Sequence, residues 1–561
     1  MILDIETDGL LEECTTIHCI VLRSTTGEVQ SFVKPDTVTI AHILSSHPQL
    51  IGHNIQGFDL PVIKKLHGLQ YLGEVLDTLV ASRLLWPDLR ETDFNRKGFP
   101  PALIGRHSLE AWGYRLDHHK GEFGKTTDWK EFTQEMLEYC IRDTEVTARL
   151  YQKIHEKHCS DNAMDLEHNF ARRIDQMMQR GFTFNRSAAE SLTAKLMGQR
   201  AEIDAALAAI FPPFVDEYET PKTKKRRVKM TAFNPGSRQH IARALREKYK
   251  WVPVEFTETG EPKIDESVLE SMPYTEAKSL AARFLLQKRL GQLAEGQQNW
   301  IQQVKPDGRI HGYCNHNGTV TGRCTHSGPN MAQVPKEPEY RSLFHAPEGW
   351  VLVGCDAAAL ELRLFAHYLA RYDNGAYGQE VLNGDIHTAN QKAAGLPTRA
   401  QAKTFIYALL YGAGDAKMGE IVGGGEKEGK AMRAKFMRAI PAYADLLEDV
   451  KDAAKKRGHL RGLDGRPIPV RTQHAALNSL LQCAGAVVMK QATVFACDRV
   501  QGIAYLVAHV HDEMQFECEA KASEVVAAEL KASIVDAGKR LNLRIPMAGD
   551  AKIGKSWADT H

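Results

Sequence analysis

Disulfide and zinc frameworks are the first things this sequence lacks. Its ten cysteines are scattered, with no CxxC pair and no His/Cys cluster at zinc spacing. That argues for reduced thiols and against a disulfide frame or a structural metal. Cys355 and Cys483 then read as small core fillers. No apolar run approaches the roughly 20 residues needed to span a bilayer, so no membrane is expected. The chain opens directly on Met1-Ile2-Leu3-Asp4-Ile5-Glu6 without a leader-like segment, and a cytoplasmic location is the expectation. A surplus of charge of one sign is missing too, since 71 Lys and Arg face 70 Asp and Glu. This balance does not exclude a nucleic-acid partner. Affinity for phosphates depends on local basic patches, and carboxylates elsewhere offset them in the sum.

What is present is length and alternation. A chain of 561 residues is too long for one core and implies three or four domains or subdomains. Up to about residue 155, short apolar runs such as Ile2 to Ile5 and His18 to Leu22 alternate with helical stretches, notably one around Met136 to Leu150. The pattern predicts an α/β unit. Helical, charged sequence follows to about 210. A polar stretch from Pro212 to Met230 carries Lys222, Lys224, Lys225, Arg226, Arg227 and Lys229, and reads as a loop or flexible tip. A second helical section runs from Ser237 to about Trp300. Beyond it, strand signals recur at Val351 to Gly354, Leu506 to Val510 and Met514 to Cys518. No internal repeat is found.

Two sets of carboxylates stand out. Asp4 and Glu6 are two apart on a strand-like run, so they face one site. Asp59 ends the run His53-Asn54-Ile55-Gln56-Gly57-Phe58-Asp59. Tyr139 and Asp143 are four apart and share a helix face. Four acids and a tyrosine can hold two divalent cations roughly 4 Å apart, a pair that activates water against a phosphodiester. In the second half, Val351 to Cys355 is an apolar strand ending in Asp356 and leading into an amphipathic helix that carries Glu361. His511-Asp512-Glu513 lies between two apolar runs and reads as a hairpin tip. Buried acids there are costly unless paired or metal-bound, so Asp356 and Asp512 make a second two-metal site.

Between them, Arg399, Lys403, Tyr407 and Tyr411 recur every four residues along one helical stripe. Pro397 precedes this run and Gly412 and Gly414 follow it, as helix punctuation. Two cations and two aromatics on one stripe suit a triphosphate at one end and a base to stack on at the other. The glycine-rich Gly424 to Lys430 imitates a phosphate loop, but Ala431 follows where Ser or Thr belongs and no clean strand precedes it.

In this order the residues resemble DNA polymerase family A, nearest its bacteriophage replicative members. Asp356 and Glu361 match motif A, Arg399, Lys403 and Tyr407 motif B, and His511-Asp512-Glu513 motif C. The first cluster resembles the proofreading exonucleases of the DnaQ-like (RNase H-like) fold. The resemblance runs from Met1 to about Trp557. It implies an α/β multidomain architecture: an exonuclease domain over 1–160, a thumb over 166–290 with a short basic insertion at 211–232, a palm over 291–375 and 479–561, and fingers over 376–478. It implies two Mg²⁺ per active site, with Mn²⁺ as a substitute, and dNTP substrates. Asp356 and Asp512 would hold the polymerase metals with Glu513 beside them, and Asp4, Glu6, Asp59 and Asp143 those of the exonuclease, where Tyr139 would orient water. Arg399, Lys403 and His387 would grip phosphates, and Glu361 would exclude a 2′-hydroxyl. Tyr407 would admit dideoxynucleotides, and Tyr411 would stack near the templating base. Arg323, Gln482 and His511 would contact primer–template DNA, the first two in the minor groove, where every pair offers acceptors. Lys224, Lys225, Arg226 and Arg227 would hug duplex phosphates.

The implied role is phage genome replication in a bacterial cytoplasm, by a monomer working with a helicase-primase and a single-strand-binding protein. The thumb segment is short where some phage members carry an insertion that captures host thioredoxin, so no thioredoxin clamp is expected. Three other readings stay open at this point: a lone exonuclease with a vestigial second half, a single-subunit RNA polymerase, and a non-catalytic nucleic-acid scaffold. No role suggests itself for His509.

Overall fold

Ile2, Leu3 and Ile5 are buried, and around them the first strand, β1 (Ile2–Thr7), lies central in a five-stranded sheet. In this computed structural model the residues described are 1–119, 124, 127–157, 159–219 and 225–561. β1 pairs antiparallel with β2 (Ile17–Arg23), which pairs with β3 (Val29–Val33). On its other side β1 runs parallel to β4 (Gln49–Gly52), and β4 to β5 (Glu74–Asp77). The order is β3-β2-β1-β4-β5. Helices α1 (Asp59–His67), α2 (Thr78–Leu85) and α3 (Gln134–Lys157) accompany this sheet, and Met136, Cys140, Val146 and Leu150 give α3 its buried stripe.

Helix α4 (Asp161–Arg180) leads out of this unit, and α5 (Arg186–Ile210) follows after a Gly181 whose φ is 67°. The basic stretch differs from the loop expected of it. Among the described residues it forms a hairpin, β6 (Phe214–Glu219) with β7 (Arg226–Thr231). Cross-strand neighbours explain the difference: Val215 faces Met230, Asp216 faces Lys229 and Glu219 faces Arg226, pairings that stabilise a ribbon without apolar alternation. Phe211, Phe214 and Phe233 anchor its base in a core shared with α6 (Arg238–Tyr249) and α7 (Thr275–Leu290).

A second, antiparallel sheet carries the largest core. A small ribbon, β8 (Tyr313–Asn315) with β9 (Thr325–Ser327), precedes it. The sheet itself contains β10 (Trp350–Ala357), β11 (Ala504–Val510), β12 (Glu513–Glu519) and β13 (Gly549–Gly554), in the order β11-β12-β10-β13. Helices α8 (Leu360–Asp373), α9 (Ile386–Ala394), α10 (Arg399–Leu410) and α11 (Pro441–Arg457) fill the chain between β10 and β11. They are followed by α12 (Ala476–Arg499), and α13 (Ser523–Arg540) precedes the last strand. By length and composition α12 could cross a bilayer, yet most of it is buried as the axis of this core. All ten cysteines are free thiols, and Cys355 and Cys483 are core fillers.

Candidate active sites

Asp356 is the last residue but one of β10, and its registered neighbour on β12 is Glu513. The hairpin β11–β12 turns through His511, at φ 56°, and Asp512, whose carbonyl accepts the Ala357 amide at 3.0 Å. Ala359, at φ 51°, makes the turn from β10 into α8. Both flanks of the paired acids therefore use left-handed backbone at non-glycine residues, conformations costing on the order of 1 kcal/mol each that cluster at functional sites.

Burial pushes the Asp356 carboxyl up to about 7, with Glu513 and Asp512 adding repulsion. Burial and then Glu361 push Asp512 up as well. Asp356 Oδ1 is buried without a hydrogen-bond partner. Two acids whose charge is disfavoured, one with an orphaned oxygen, are what a cation would resolve, so this donor set fits divalent metal. Glu513 stands beside Asp356, with donor atoms of Asp356, Glu513 and His561 within 4.8 Å of one another. Burial raises its pKa, but donors from His561, Gln515 and Trp557 outweigh that and hold it below the ordinary value. Its Oε1 accepts Trp557 Nε1 and Gln515 Nε2 (2.6 Å), and its Oε2 accepts His561 Nδ1 at 2.9 Å. Glu513 thus braces the hairpin from behind.

A cleft of about 240 Å³ opens on Asp512, lined also by Arg323, Glu361, Tyr411, Lys490 and His511 among others. Tyr411 Oη donates to Glu361 Oε1 at 2.8 Å. Tyr411 closes the stripe as the C-cap of α10, its amide on the Tyr407 carbonyl at 2.9 Å, and Gly412 at φ 75° then turns the chain away. A reciprocal Thr398–Gln401 cap starts α10, Lys403 and Arg399 are exposed, and Tyr407 is half-buried with its ring 6.4 Å from His387. Burial, then the Arg399 and Lys403 charges, depress the His387 pKa, so these groups share one neighbourhood. Arg399 is held by Asp385, Nε at 2.8 Å and Nη2 at 3.1 Å, a latch the sequence reading missed although Asp385 directly precedes α9.

Gln482, on α12, donates to Asn478 Oδ1 at 2.9 Å and accepts from Thr321 Oγ1 at 3.5 Å, so it sits beside the turn that carries Arg323. Lys225, Arg226 and Arg227 are on or next to the exposed hairpin β6–β7, and none of them lines the cleft. Lys222 and Lys224 lie outside the described residues. His509 is buried, with Nδ1 3.0 Å from Thr493 Oγ1 and its ring edge-on to Phe170, a packing role.

The first cluster also assembles. Asp4 and Glu6 project from β1, and donor atoms of Asp4, Glu6 and Cys140 lie within 4.8 Å of one another. Asp59 opens α1 and accepts the Ile5 amide at 3.2 Å. Burial and then the Asp4 charge push the Asp59 carboxyl well above its usual range, again a set of acids that suits a cation. Tyr139 and Asp143 lie one turn apart on α3, which packs on β1 and β2. Trp129 meets the Tyr139 ring edge-on at 6.2 Å. Asp77 was not foreseen. Its carboxylate accepts the amides of Asn54 (2.9 Å) and Gln56 (3.1 Å) and caps α2 through Leu79 (2.9 Å), fixing the turn that delivers Asp59. The signal available for it was an acid directly before a helical run.

Comparison with known proteins places the chain in a family. Residues 212–559 match the model of DNA polymerase family A. The chain is 34% identical to the DNA-directed DNA polymerases of Enterobacteria phage T3 and Escherichia phage T7, covering all of this chain and 100% and 99% of theirs. Both alignments, over 705 and 702 residues, exceed the 561 of this chain, so the phage proteins carry segments absent here. DNA polymerase I of Aquifex aeolicus is 25% identical over 91% of this chain and 88% of its own length. The fold matches the POL domain of Pol1 from M. smegmatis, solved with DNA primer-template and dNTP, with a TM-score of 0.78 at 18% identity over 99% and 96% of the two chains.

Proposed function

Since this chain belongs to DNA polymerase family A and is a DNA-directed DNA polymerase, we propose that it extends primers at the Asp356–Asp512 cleft and edits them 3′→5′ at the Asp4–Glu6–Asp59–Asp143 cluster. The observation that carries the reading is the presence of two separate sets of acids in which burial and mutual repulsion push carboxyls above their ordinary range. Polymerases of this family use divalent cations, generally Mg²⁺, and such ions supply charge neutralisation and a lowered pKa for the attacking hydroxyl or water.

Around that chemistry the chain's own residues position the reactants. Asp356 presents its oxygens from β10 and Asp512 from the neighbouring β11–β12 turn. Lys403 and, once released from Asp385, Arg399 neutralise phosphate charge along one side of α10, and the neutral His387 ring donates a hydrogen bond there. Tyr407 flanks the sugar. Glu361, pinned by Tyr411, narrows the space where a 2′-hydroxyl would sit. Arg323 and Gln482 donate to minor-groove acceptors common to all correct pairs. In the right-hand description, α5 to α7 with the β6–β7 ribbon form the thumb, α8's C-terminal neighbours through α11 the fingers, and the four-stranded sheet with α12 and α13 the palm. The sheet β1–β5 with α3 is the DnaQ-like editing domain. The β6–β7 ribbon offers its arginines to duplex phosphates, which makes binding steeply salt-dependent. The setting is phage genome replication, without a thioredoxin clamp.

The test is extension and shortening of a 5′-labelled primer by two variants. Asp4→Ala abolishes shortening of a mismatched primer and leaves extension intact, and Asp512→Ala does the reverse. Loss of both activities in either variant would refute the two-site assignment.

A further inference from the structure

Glu167 is fully buried on α4, and three basic side chains from distant segments converge on it. Lys490 of α12 donates to Oε1, Arg466 Nη1 lies 2.6 Å from the same oxygen, and His316 Nδ1 is 3.1 Å from Oε2. Asp464 completes the group, accepting Arg466 Nε at 2.9 Å and Nη2 at 2.6 Å. Two carboxylates thus meet two fixed cations, the balanced arrangement a buried charge requires.

Each partner of Glu167 leads to a group that reads the primer terminus. Arg466 Nη1 stands 2.8 Å from where a Cβ on Gly322 would be, and Gly322 is at φ 79°. The Arg466 guanidinium is therefore the wall against which the Gly322–Arg323 turn is set. His316 stands in the same β8–β9 connection, closed by the Gly318 amide on the Arg323 carbonyl at 3.0 Å. Lys490 lies on α12, the helix that carries Gln482.

The next residue faces the other way. His168 Nδ1 is 2.8 Å from the Met164 carbonyl and so carries the proton, leaving Nε2 to accept the Asp77 amide at 2.9 Å. Asp77 in turn holds the turn before Asp59. Adjacent residues of one helix are rotated by about 100°, which lets α4 touch both sites at once.

We propose that Glu167 and His168 are positioning residues, the first setting the minor-groove donors Arg323 and Gln482 and the second setting the editing acid Asp59, so that one helix keeps both sites in register with the primer. This rests on the roles given above to Arg323, Gln482 and Asp59. The test uses the full chain, with primers ending in a purine or in its 3-deaza analogue, which lacks the minor-groove acceptor. It also measures shortening of a single-stranded oligonucleotide. In the parent protein the analogue slows the next addition about tenfold, the value of a charge-assisted hydrogen bond. Glu167→Gln should lose most of that penalty and shorten single strands at the parental rate. If this variant fails to fold, Glu167→Asp, which keeps the charge but not the reach, should show a partial loss. His168→Leu should slow shortening about tenfold with the penalty intact, and His168→Gln, whose amide oxygen can accept from Asp77, should restore it. An undiminished penalty in folded Glu167 variants, or parental shortening by His168→Leu, would overturn the inference. A parent that shows neither penalty nor shortening would instead overturn the functional reading beneath it.

Discussion

Replacing Tyr411 by Phe removes one oxygen and leaves the ring. That oxygen donates to Glu361 Oε1 at 2.8 Å, and burial followed by the Glu361 charge pushes the phenol up to about 12, so the hydroxyl stays a donor throughout the working range. A hydrogen bond to a charged acceptor contributes about 1.5–3 kcal/mol when enclosed. Tyr411 is 44% exposed, and water will replace part of the loss, which leaves about 1 kcal/mol, or about fivefold. The carboxylate of Glu361 should then sample positions that admit a 2′-hydroxyl. The assay is the ratio of kcat/KM for a dNTP to that for the matching rNTP, expected to fall about fivefold through faster ribonucleotide use. Glu361→Ala should lower the ratio further, and adding Tyr411→Phe to it should change nothing more, since the two act as a unit. A ratio unchanged in Tyr411→Phe, or additive losses in the double variant, would refute the pinning of Glu361.

Asp385→Asn keeps a competent cap for α9 but breaks the ion pair with Arg399. Both partners are about half exposed, so stability should barely move, while dNTP affinity rises up to about fivefold because Arg399 no longer leaves a partner. Weaker dNTP binding in a titration would mean that Asp385 aims Arg399 instead of withholding it. Burial pushes the His367 imidazole down to about 4, and its Nδ1 accepts the Arg544 amide at 3.0 Å, which requires the neutral ring. An unfolded histidine titrates near 6.5, so the folded state binds fewer protons between these values. His367 therefore contributes stability that is complete above about pH 6.5 and lost as pH falls toward 4, at most about 3 kcal/mol. His367→Gln should flatten the urea midpoint across that window, and an equally steep profile would assign the loss to other groups.

The residues that carry chemistry were legible because their spacing is local. Asp4 with Glu6, Tyr139 with Asp143, and Arg399, Lys403 and Tyr407 each repeat at the period of one strand or helix. The strand ends at Asp356 and Asp512 followed from apolar runs, and β10 pairing with β12 is the register those runs allow. What could not be read is what holds these residues. Glu513 is expected beside the metal ligands from its position, and only the tertiary approach of Trp557 and His561 shows that it also braces the turn. The Asp385–Arg399 and Tyr411–Glu361 contacts join segments that no periodicity connects. The β6–β7 ribbon was missed because its strands pair charges across the ladder, and polar alternation resembles a loop until the partner strand is known. Glu167 sat unnoticed in a charged helix, since nothing local distinguishes it from a solvated acid.

Burying Glu167 also bears on the order in which the protein can be made. The sheet β1–β5 and the helices on it take most of their contacts from the first 160 residues, with His168 of α4 an addition, so this unit can form while the rest is still being synthesised. Helix α4 cannot seat Glu167 then, because Arg466 and Lys490 are some three hundred residues further on, and an unpaired buried carboxylate is prohibitive. Asp356 likewise waits for Asp512 across a long intervening chain, and closing so large a loop is slow. A chain interrupted between residues 160 and 460 would carry the editing carboxylates without the cleft that builds DNA. On the functional reading above, such a fragment is a nuclease with no synthesis to balance it, and early termination of this chain would harm a cell more than its absence.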